Sequence, residues 1–299
     1  MTQDNTHTLL IVDDTASNID ILVDLLSGTY DLLVALDGPS ALEIMQQESV
    51  DLVLLDIMMP VMDGYTVCRE IQNNPELSDI PVIFLTAKSD EVSIEQAYAS
   101  GGIDYVSKPF KRMELLARIK THLRLRTLMH EMEYLAQHDS LTGLFNRRHF
   151  FQLASTLFDT NPTVLAAMID IDDFKRINDV YGHAVGDTVI KQIASILERN
   201  LEPGQVAGRI GGEEFAIVAA DTNREIFWNM IECIRNEVAS QALPQTGNTL
   251  SFRISCGLAE KTADMPSIDS LLVSADMALY QAKFAGKNRT VRARSRDSS

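Results

Sequence analysis

The sequence predicts an α/β fold of two cored domains, the first a doubly wound parallel sheet, joined by one long helix. Three observations predict it. Apolar runs in the first half end in acids, a hydroxyl or a lysine and alternate with helical patterns. Residues 113–137 hold no Gly or Pro and repeat apolar residues at helical spacing. In the second half an apolar run ends in acids, and a Gly-Gly turn lies between two strand-like segments.

A chain of 299 residues that is 45% hydrophobic has material for two cores of ordinary size. No apolar run approaches the roughly twenty residues that span a membrane, and the amino end lacks a leader pattern, so a soluble, cytoplasmic protein with no membrane partner is expected. Cys68, Cys233 and Cys256 are scattered without metal-ligand spacing and are expected as small buried hydrophobes in a reducing compartment. The net charge of −16 is uneven. Residues 1–124 carry 8 Lys and Arg against 20 Asp and Glu, a net −12, and residues 125–299 carry 18 against 22, a net −4. Neither part suits nucleic acid, and the less acidic second part better suits a polyanionic nucleotide.

Residues 9–12 are four aliphatics followed by Asp13 and Asp14, and residues 52–55 are four more followed by Asp56. Residues 82–85 meet Thr86, and Tyr105-Val106-Ser107 leads into Lys108-Pro109-Phe110. Such continuous runs are strands buried on both faces, and intervening helices make the sheet parallel. Functional groups in such a sheet collect at the carboxyl ends of its strands, and acids crowded there need a cation. Asp13, Asp14 and Asp56 then hold Mg²⁺, Asp56 attacks a phosphoryl donor, and Thr86 and Lys108 contact the transferred oxygens. A single acid at a strand end also serves as an ordinary helix cap.

The full set resembles the receiver domain of two-component response regulators over residues 7–124. Asp13-Asp14, the run Leu54-Leu55-Asp56-Ile57-Met58-Met59-Pro60-Val61-Met62-Asp63-Gly64, Thr86-Ala87 and Lys108-Pro109-Phe110 carry the likeness. The resemblance implies a five-stranded, flavodoxin-like sheet and Asp56 as phosphoacceptor of a sensor histidine kinase. It also implies the Met58 carbonyl as a further Mg²⁺ ligand, a cis bond before Pro109, and a switch built from Thr86 and Tyr105 with Lys108.

Residues 113–137 place apolar side chains at Leu116, Ile119 and Leu123, then at Leu125, Leu128, Met132 and Leu135. The second group steps by three, four and three, as a coiled-coil seam does, and a helix packed on its own domain shows the same pattern. The expected domains are residues 1–124, a helical linker over 125–137, a second domain over 138–293 and a disordered tail over 294–299.

Residues 164–169 form a buried strand that delivers Asp170-Ile171-Asp172-Asp173-Phe174-Lys175 at its carboxyl end. The turn Arg209-Ile210-Gly211-Gly212-Glu213-Glu214-Phe215 puts two carboxylates beside two glycines, which lets backbone approach a phosphate and holds a metal next to it. An ordinary hairpin with an exposed Glu pair has the same pattern; acids at the upstream strand end, able to share a cation with Glu213, favour the metal-binding reading. Asn178, Asp179, Gly182, Gly186 and Asp187 precede a helical run over residues 188–199 and supply groups that read a base edge and approach a ribose. Lys283 and Lys287 stand at i and i+4, expected on one helix face and suited to triphosphate oxygens; a solvated basic helix end has the same spacing.

These segments resemble the GGDEF family of diguanylate cyclases over residues 139–292. Five blocks agree in order and spacing: Asp139-Ser140-Leu141-Thr142-Gly143-Leu144-Phe145-Asn146-Arg147-Arg148, the Asp170 block, the GGEEF turn, Ile254-Ser255-Cys256-Gly257, and residues 275–289. The resemblance implies an α+β domain with a central, mainly antiparallel sheet like that of nucleotidyl cyclases. The implied reaction condenses two GTP into cyclic di-GMP with release of two pyrophosphates, using Mg²⁺ or Mn²⁺. By residue-to-residue match, Asp170, the Ile171 carbonyl and Glu213 bind metal, and Glu213 or Glu214 accepts the hydroxyl proton. Asn178 and Asp187 read guanine. Amides around Asp173 and Phe174, with Lys175, Lys283 and Lys287, hold phosphates. Each domain takes one GTP, so a homodimer is implied.

Many family members carry an Arg-x-x-Asp product site before the turn. Here the matching positions are Glu202 and Gln205 around Pro203 and Gly204, so no product inhibition through that site is expected. Two rival readings are a non-catalytic, phosphorylation-controlled GTP-binding or interaction module and a cyclase making a mixed guanine-adenine product. The filled metal and base positions oppose the first, and Asp187 opposes the second.

Overall fold

The computed structural model describes residues 7–87, 91–245 and 248–293. The expected tail over 294–299 lies outside the described residues. The chain divides into two units, residues 1–132 and 133–299.

The first unit runs β1 Thr8–Val12, α1 Ala16–Leu26, β2 Asp31–Ala35, α2 Gly38–Gln47, β3 Leu52–Asp56, α3 Gly64–Asn73, β4 Val82–Thr86, α4 Glu91–Ala99 and β5 Asp104–Ser107, then enters α5 Arg112–Gln137. Its strands are all parallel in the order β2-β1-β3-β4-β5. Edge strand β2 lies in no predicted run although residues 32–36 are continuously apolar; its side chains are mostly only partly buried. Alternate residues of a strand face opposite sides, which sorts the core into two layers. Leu9, Ile11, Leu54 and Leu85 meet α1 and α5 through Leu22, Leu115 and Ile119. Leu10, Val12, Leu55 and Phe84 meet α2 and α3 through Met45, Val67 and Ile71.

Register fixes the functional edge of this sheet. Val12 pairs with Leu55, Asp56 with Leu85, and Thr86 with Ser107. Asp13, Asp56, Thr86 and Lys108 therefore emerge at one end of four adjacent strands. The Asp63 carboxylate caps α3 by accepting from the Thr66 N–H at 2.8 Å.

Helix α5 is 26 residues long and buries Leu115, Ile119 and Leu123. Leu125, Leu128, Met132 and Leu135 are exposed, and the boundary between the two units falls within this helix.

The second unit runs β6 Phe145–Asn146, α6 Arg147–Thr160, β7 Val164–Ile171, α7 Phe174–Tyr181, α8 His183–Asn200, β8 Gln205–Arg209, β9 Glu214–Ala220, α9 Arg224–Ser240, β10 Ala242–Gln245, β11 Asn248–Ser251, β12 Ile254–Glu260, α10 Ile268–Phe284 and β13 Thr290–Arg292. Six strands form one sheet in the order β13-β12-β7-β9-β8-β6, and β10 and β11 form a separate hairpin. The inner strand pairs are antiparallel and the two outermost pairs parallel. One face packs on α8 and α9 through Ile169, Phe215, Val189 and Ile231, the other on α6 and α10 through Met168, Val218, Phe150 and Leu279. A Cβ at Gly257 would sit 2.0 Å from the Leu279 amide nitrogen, so glycine there lets α10 close onto β12.

Three sequence expectations are corrected, and one helix is added. Helix α8 begins at His183, so Gly186 and Asp187 lie inside it and not ahead of it. Residues 174–181 form a helix of their own. Helix α10 ends at Phe284, and Lys287 has a left-handed φ of 60°, so Lys283 and Lys287 do not share a helix face. Gly286, with φ 114°, turns the chain out of the helix before the second lysine. Cys233 is exposed on the outer side of α9, opposite Phe227, Ile231 and Ile234; Cys68 and Cys256 are buried. Among the described residues no helix is long and apolar enough to cross a membrane.

Candidate active site

In the first unit Asp13, Asp14 and Asp56 each offer an oxygen within 4.8 Å of the others. Asp13 is fully buried and Asp56 nearly so. Lys108 Nζ stands 2.8 Å from Asp13 Oδ2 and 3.0 Å from Asp56 Oδ1. Asp13 also accepts from Asn18 Nδ2 at 2.9 Å and from the Thr15 N–H at 2.9 Å. Burial pushes the Asp56 carboxyl above its ordinary range, opposed by Lys108 and reinforced by Asp13. Burial would lower Lys108, but its hydrogen bonds to Asp13 and Asp56 outweigh that and hold it above its usual value. Three carboxylates against one ammonium leave excess negative charge, and the all-oxygen donor set fits Mg²⁺.

Thr86 is buried at the end of β4. Tyr105 meets the Tyr98 ring edge-on at 6.5 Å between centroids. The Lys108-Pro109 bond is cis, as the receiver resemblance implies. Met58 has an exposed side chain, and Gly64 gives close room: a Cβ there would meet the Asp56 carbonyl oxygen at 2.2 Å.

In the second unit the strand register sets Asp170 between Glu214 of β9 and Ser255 of β12. The Ile171 N–H donates to the Glu213 carbonyl at 3.3 Å, tying the glycine turn to the end of β7. Asp170 is 4% exposed, its Oδ2 lies 2.7 Å from Lys283 Nζ, and its Oδ1 has no protein partner. Burial raises its pKa to about 6, with Lys283 opposing and Glu213 and Glu214 adding to the rise. A buried carboxylate oxygen left without a partner is costly unless a ligand or ion completes it, so the residues present fit a divalent cation. Among the described residues this unit has no group of three acids as tight as that of the first unit.

The turn itself is held by Arg209, which donates to both Asp139 oxygens at 3.1 and 3.3 Å and to the Gly212 carbonyl at 2.7 Å. Sequence reasoning gave Arg209 no role; its place in the matching block next to the glycines was the available signal. A Cβ on Gly212 would meet nothing within 4 Å, so the turn faces open space.

Asp173 precedes α7 with a left-handed φ of 56° and makes no side-chain cap to it; amides at a helix start suit an anion. Phe174 is buried beneath it and Lys175 is exposed. Asn178 Oδ1 is buried without a protein partner, beside Gly186 of α8, and Asp187 is exposed one residue further on. Lys287 reaches the same region from beyond α10 and pairs with Asp173 Oδ1 at 2.5 Å. Glu202 and Gln205 are occupied with each other: the Glu202 N–H donates to Gln205 Oε1 at 3.0 Å.

Residues 136–289 match the family model described as diguanylate cyclase, GGDEF domain, and residues 9–120 match the response regulator receiver domain. The chain belongs to the GGDEF family. It also carries a receiver domain ahead of the GGDEF domain. Response regulator PleD of Caulobacter vibrioides is 30% identical over 297 residues, covering 95% of this chain and 65% of that protein. This chain thus spans just under two thirds of that relative. Probable diguanylate cyclase DgcC of Escherichia coli is 35% identical over 175 residues, 57% of this chain and 47% of that protein. The solved GGDEF domain of DgcB from Caulobacter crescentus in complex with c-di-GMP is 36% identical with a TM-score of 0.52, covering 54% of this chain and 97% of that one.

Proposed function

We propose that this GGDEF protein is a phosphorylation-controlled diguanylate cyclase that condenses two GTP into cyclic di-GMP and releases two pyrophosphates. The observation that carries the reading is Asp170: a buried carboxylate with one unpartnered oxygen, set by register beside the glycine turn that bears Glu213 and Glu214. The solved relative bound to c-di-GMP, which shares this domain's fold, supports it.

In each half-reaction the 3′-hydroxyl oxygen of one GTP bonds to the α-phosphorus of the other as the bond to pyrophosphate breaks. The hydroxyl proton passes to Glu213 or Glu214. Asp170, the Ile171 carbonyl and Glu213 would hold Mg²⁺ or Mn²⁺, which when bound supplies charge neutralisation at the phosphoryl oxygens and acidifies the hydroxyl. Amides at Asp173 and Phe174, with Lys175, Lys283 and Lys287, bind the β and γ phosphates. Asn178 and Asp187 take the guanine edge, and a carboxylate that accepts from the ring N–H and exocyclic amine selects GTP over ATP.

One domain binds one GTP, so ring closure needs a homodimer, for which the exposed seam Leu125, Leu128, Met132 and Leu135 offers a surface. Asp56 accepts the phosphoryl group from a sensor histidine kinase, with Asp13, Asp14 and the Met58 carbonyl on Mg²⁺. Thr86, Tyr105 and Lys108 respond, and receiver pairing aligns the cyclase domains. The working domains are residues 1–124, linker 125–137 and cyclase 138–293, in a cytoplasmic protein.

Incubation of the full chain with GTP, ATP and Mg²⁺, with products identified by mass, tests the reading. Cyclic di-GMP as the main product is expected. No cyclic dinucleotide from an assembled dimer, or a mixed guanine-adenine product, would overturn it.

A further inference from the structure

Asp172 lies two residues past Asp170, is 8% exposed, and has both oxygens engaged away from the turn. Its Oδ1 accepts from the buried Ser255 hydroxyl at 2.7 Å, and its Oδ2 accepts from the Asn288 backbone N–H at 2.9 Å. Its own N–H donates to the Arg253 carbonyl at 2.9 Å. Asp170 keeps an oxygen for a ligand; Asp172 spends its two on β12 and on the segment after α10.

That segment is an unusual piece of backbone. Gly286, Lys287 and Asn288 have successive φ values of 114°, 60° and 47°. Two of the three carry a Cβ, and left-handed backbone is unfavourable at such residues, most of all at Lys287, so it persists where surroundings hold it. The holding groups are visible on both sides. Asp172 grips the Asn288 N–H from the end of β7. From α9, Arg235 Nη1 donates to the Asn288 carbonyl at 3.3 Å and to its Oδ1 at 3.0 Å. Glu232 in turn fixes Arg235, accepting from Nε at 3.0 Å and from Nη2 at 2.8 Å.

Lys287 sits inside this clamp, next to Asn288, and its ammonium is delivered to Asp173 at the start of α7. We propose that Asp172 is a positioning residue which, with Arg235 opposite, braces the left-handed turn and so aims the Lys287 ammonium at the triphosphate. The proposal rests on the assignment of Lys287 to phosphate made above. Asp172 itself touches neither metal nor nucleotide.

The test is a double-mutant cycle on the full chain with Asp172→Ala and Lys287→Met. Alanine removes both acceptor oxygens, so the Asn288 N–H loses its partner and the turn loosens. Asp172→Ala is expected to raise KM for GTP about tenfold with kcat within threefold, and to add almost nothing in the Lys287→Met background. Arg235→Met, acting from the other side, is expected to give the same split and the same non-additivity, and it decides the matter if Asp172→Ala does not fold. Unchanged KM, or losses that add fully to those of Lys287→Met, would overturn the brace. A wild-type chain that binds GTP without turning it over refutes the cyclase reading alone, and the cycle is then read on GTP Kd; a wild type that does not bind GTP overturns both.

Discussion

Arg209 and Asp139 are joined by two hydrogen bonds, and the second terminal nitrogen of the same guanidinium holds the Gly212 carbonyl. One side chain thus ties the loop after α5 to the glycine turn that bears Glu213 and Glu214. Hydrogen bonds from Thr142 and Arg209 hold the Asp139 carboxyl below its ordinary range although burial opposes them. Arg209→Met is expected to cost about 1.5–3 kcal/mol of stability through lost charge-assisted hydrogen bonds. Displacing the turn should also lower kcat by about 10²-fold. Chemical denaturation and steady-state turnover check the two numbers; full activity in a destabilised variant would show the contact to be structural only.

A depressed acid such as Asp139 adds stability that is present above its unfolded pKa and lost as pH falls through its folded one. Asp170 behaves oppositely. Its folded value, about 6, lies above the unfolded one, so its contribution is fully present below pH 4 and is lost as pH rises through about 6. With chelator present, ionising it should cost on the order of 2–3 kcal/mol between those limits. Unfolding free energies of wild type and Asp170→Asn across pH 4–7 check this: the wild type alone should carry that slope.

Gly186 occupies the interior of α8, where alanine would ordinarily gain about 1 kcal/mol. A Cβ there would lie 2.0 Å from Asn178 Oδ1 and 3.1 Å from the Phe174 ring. Gly186→Ala should therefore displace the Asn178 amide while leaving the helix intact. The expected result is a loss of GTP affinity of about 10- to 100-fold with little change in Tm. Calorimetric titration with a non-hydrolysable GTP analogue measures it.

Much of this was legible in the residues, for identifiable reasons. The receiver strands announce themselves because they are buried on both faces and so read as unbroken apolar runs. Edge strand β2 also holds an apolar run, residues 32–36, yet its side chains are half exposed. Acids at the ends of β1, β3 and β7 were visible for the same reason, since each follows such a run. Helix α7 was hidden because only Phe174 and Ile177 are buried on it, too few to show a period. The Lys283 and Lys287 spacing suggested a shared helix face, but spacing does not show where a helix stops, and Gly286 ends it. The partners of Asp172, more than eighty residues away in sequence, leave no local mark at all.

Lys108 bridges Asp13 and Asp56 and ties this acidic cluster to the end of β5. Stable beryllofluoride at Asp56 should raise turnover and the dimer fraction together, and Asp56→Asn should abolish both responses. Light scattering alongside initial rates checks the pairing; indifference of either quantity contradicts the coupling.

Asp170 and Glu213 are expected to share a divalent ion over bound GTP. Mn²⁺ binding in the presence of a non-hydrolysable GTP analogue, followed by electron paramagnetic resonance in wild type, Asp170→Ala and Glu213→Ala, tests it most directly. Each variant should lose the cyclase-site ion while retaining the receiver-site ion and a folded spectrum, and turnover should vanish with it. Undiminished Mn²⁺ binding and normal cyclic di-GMP formation in either variant would contradict the account.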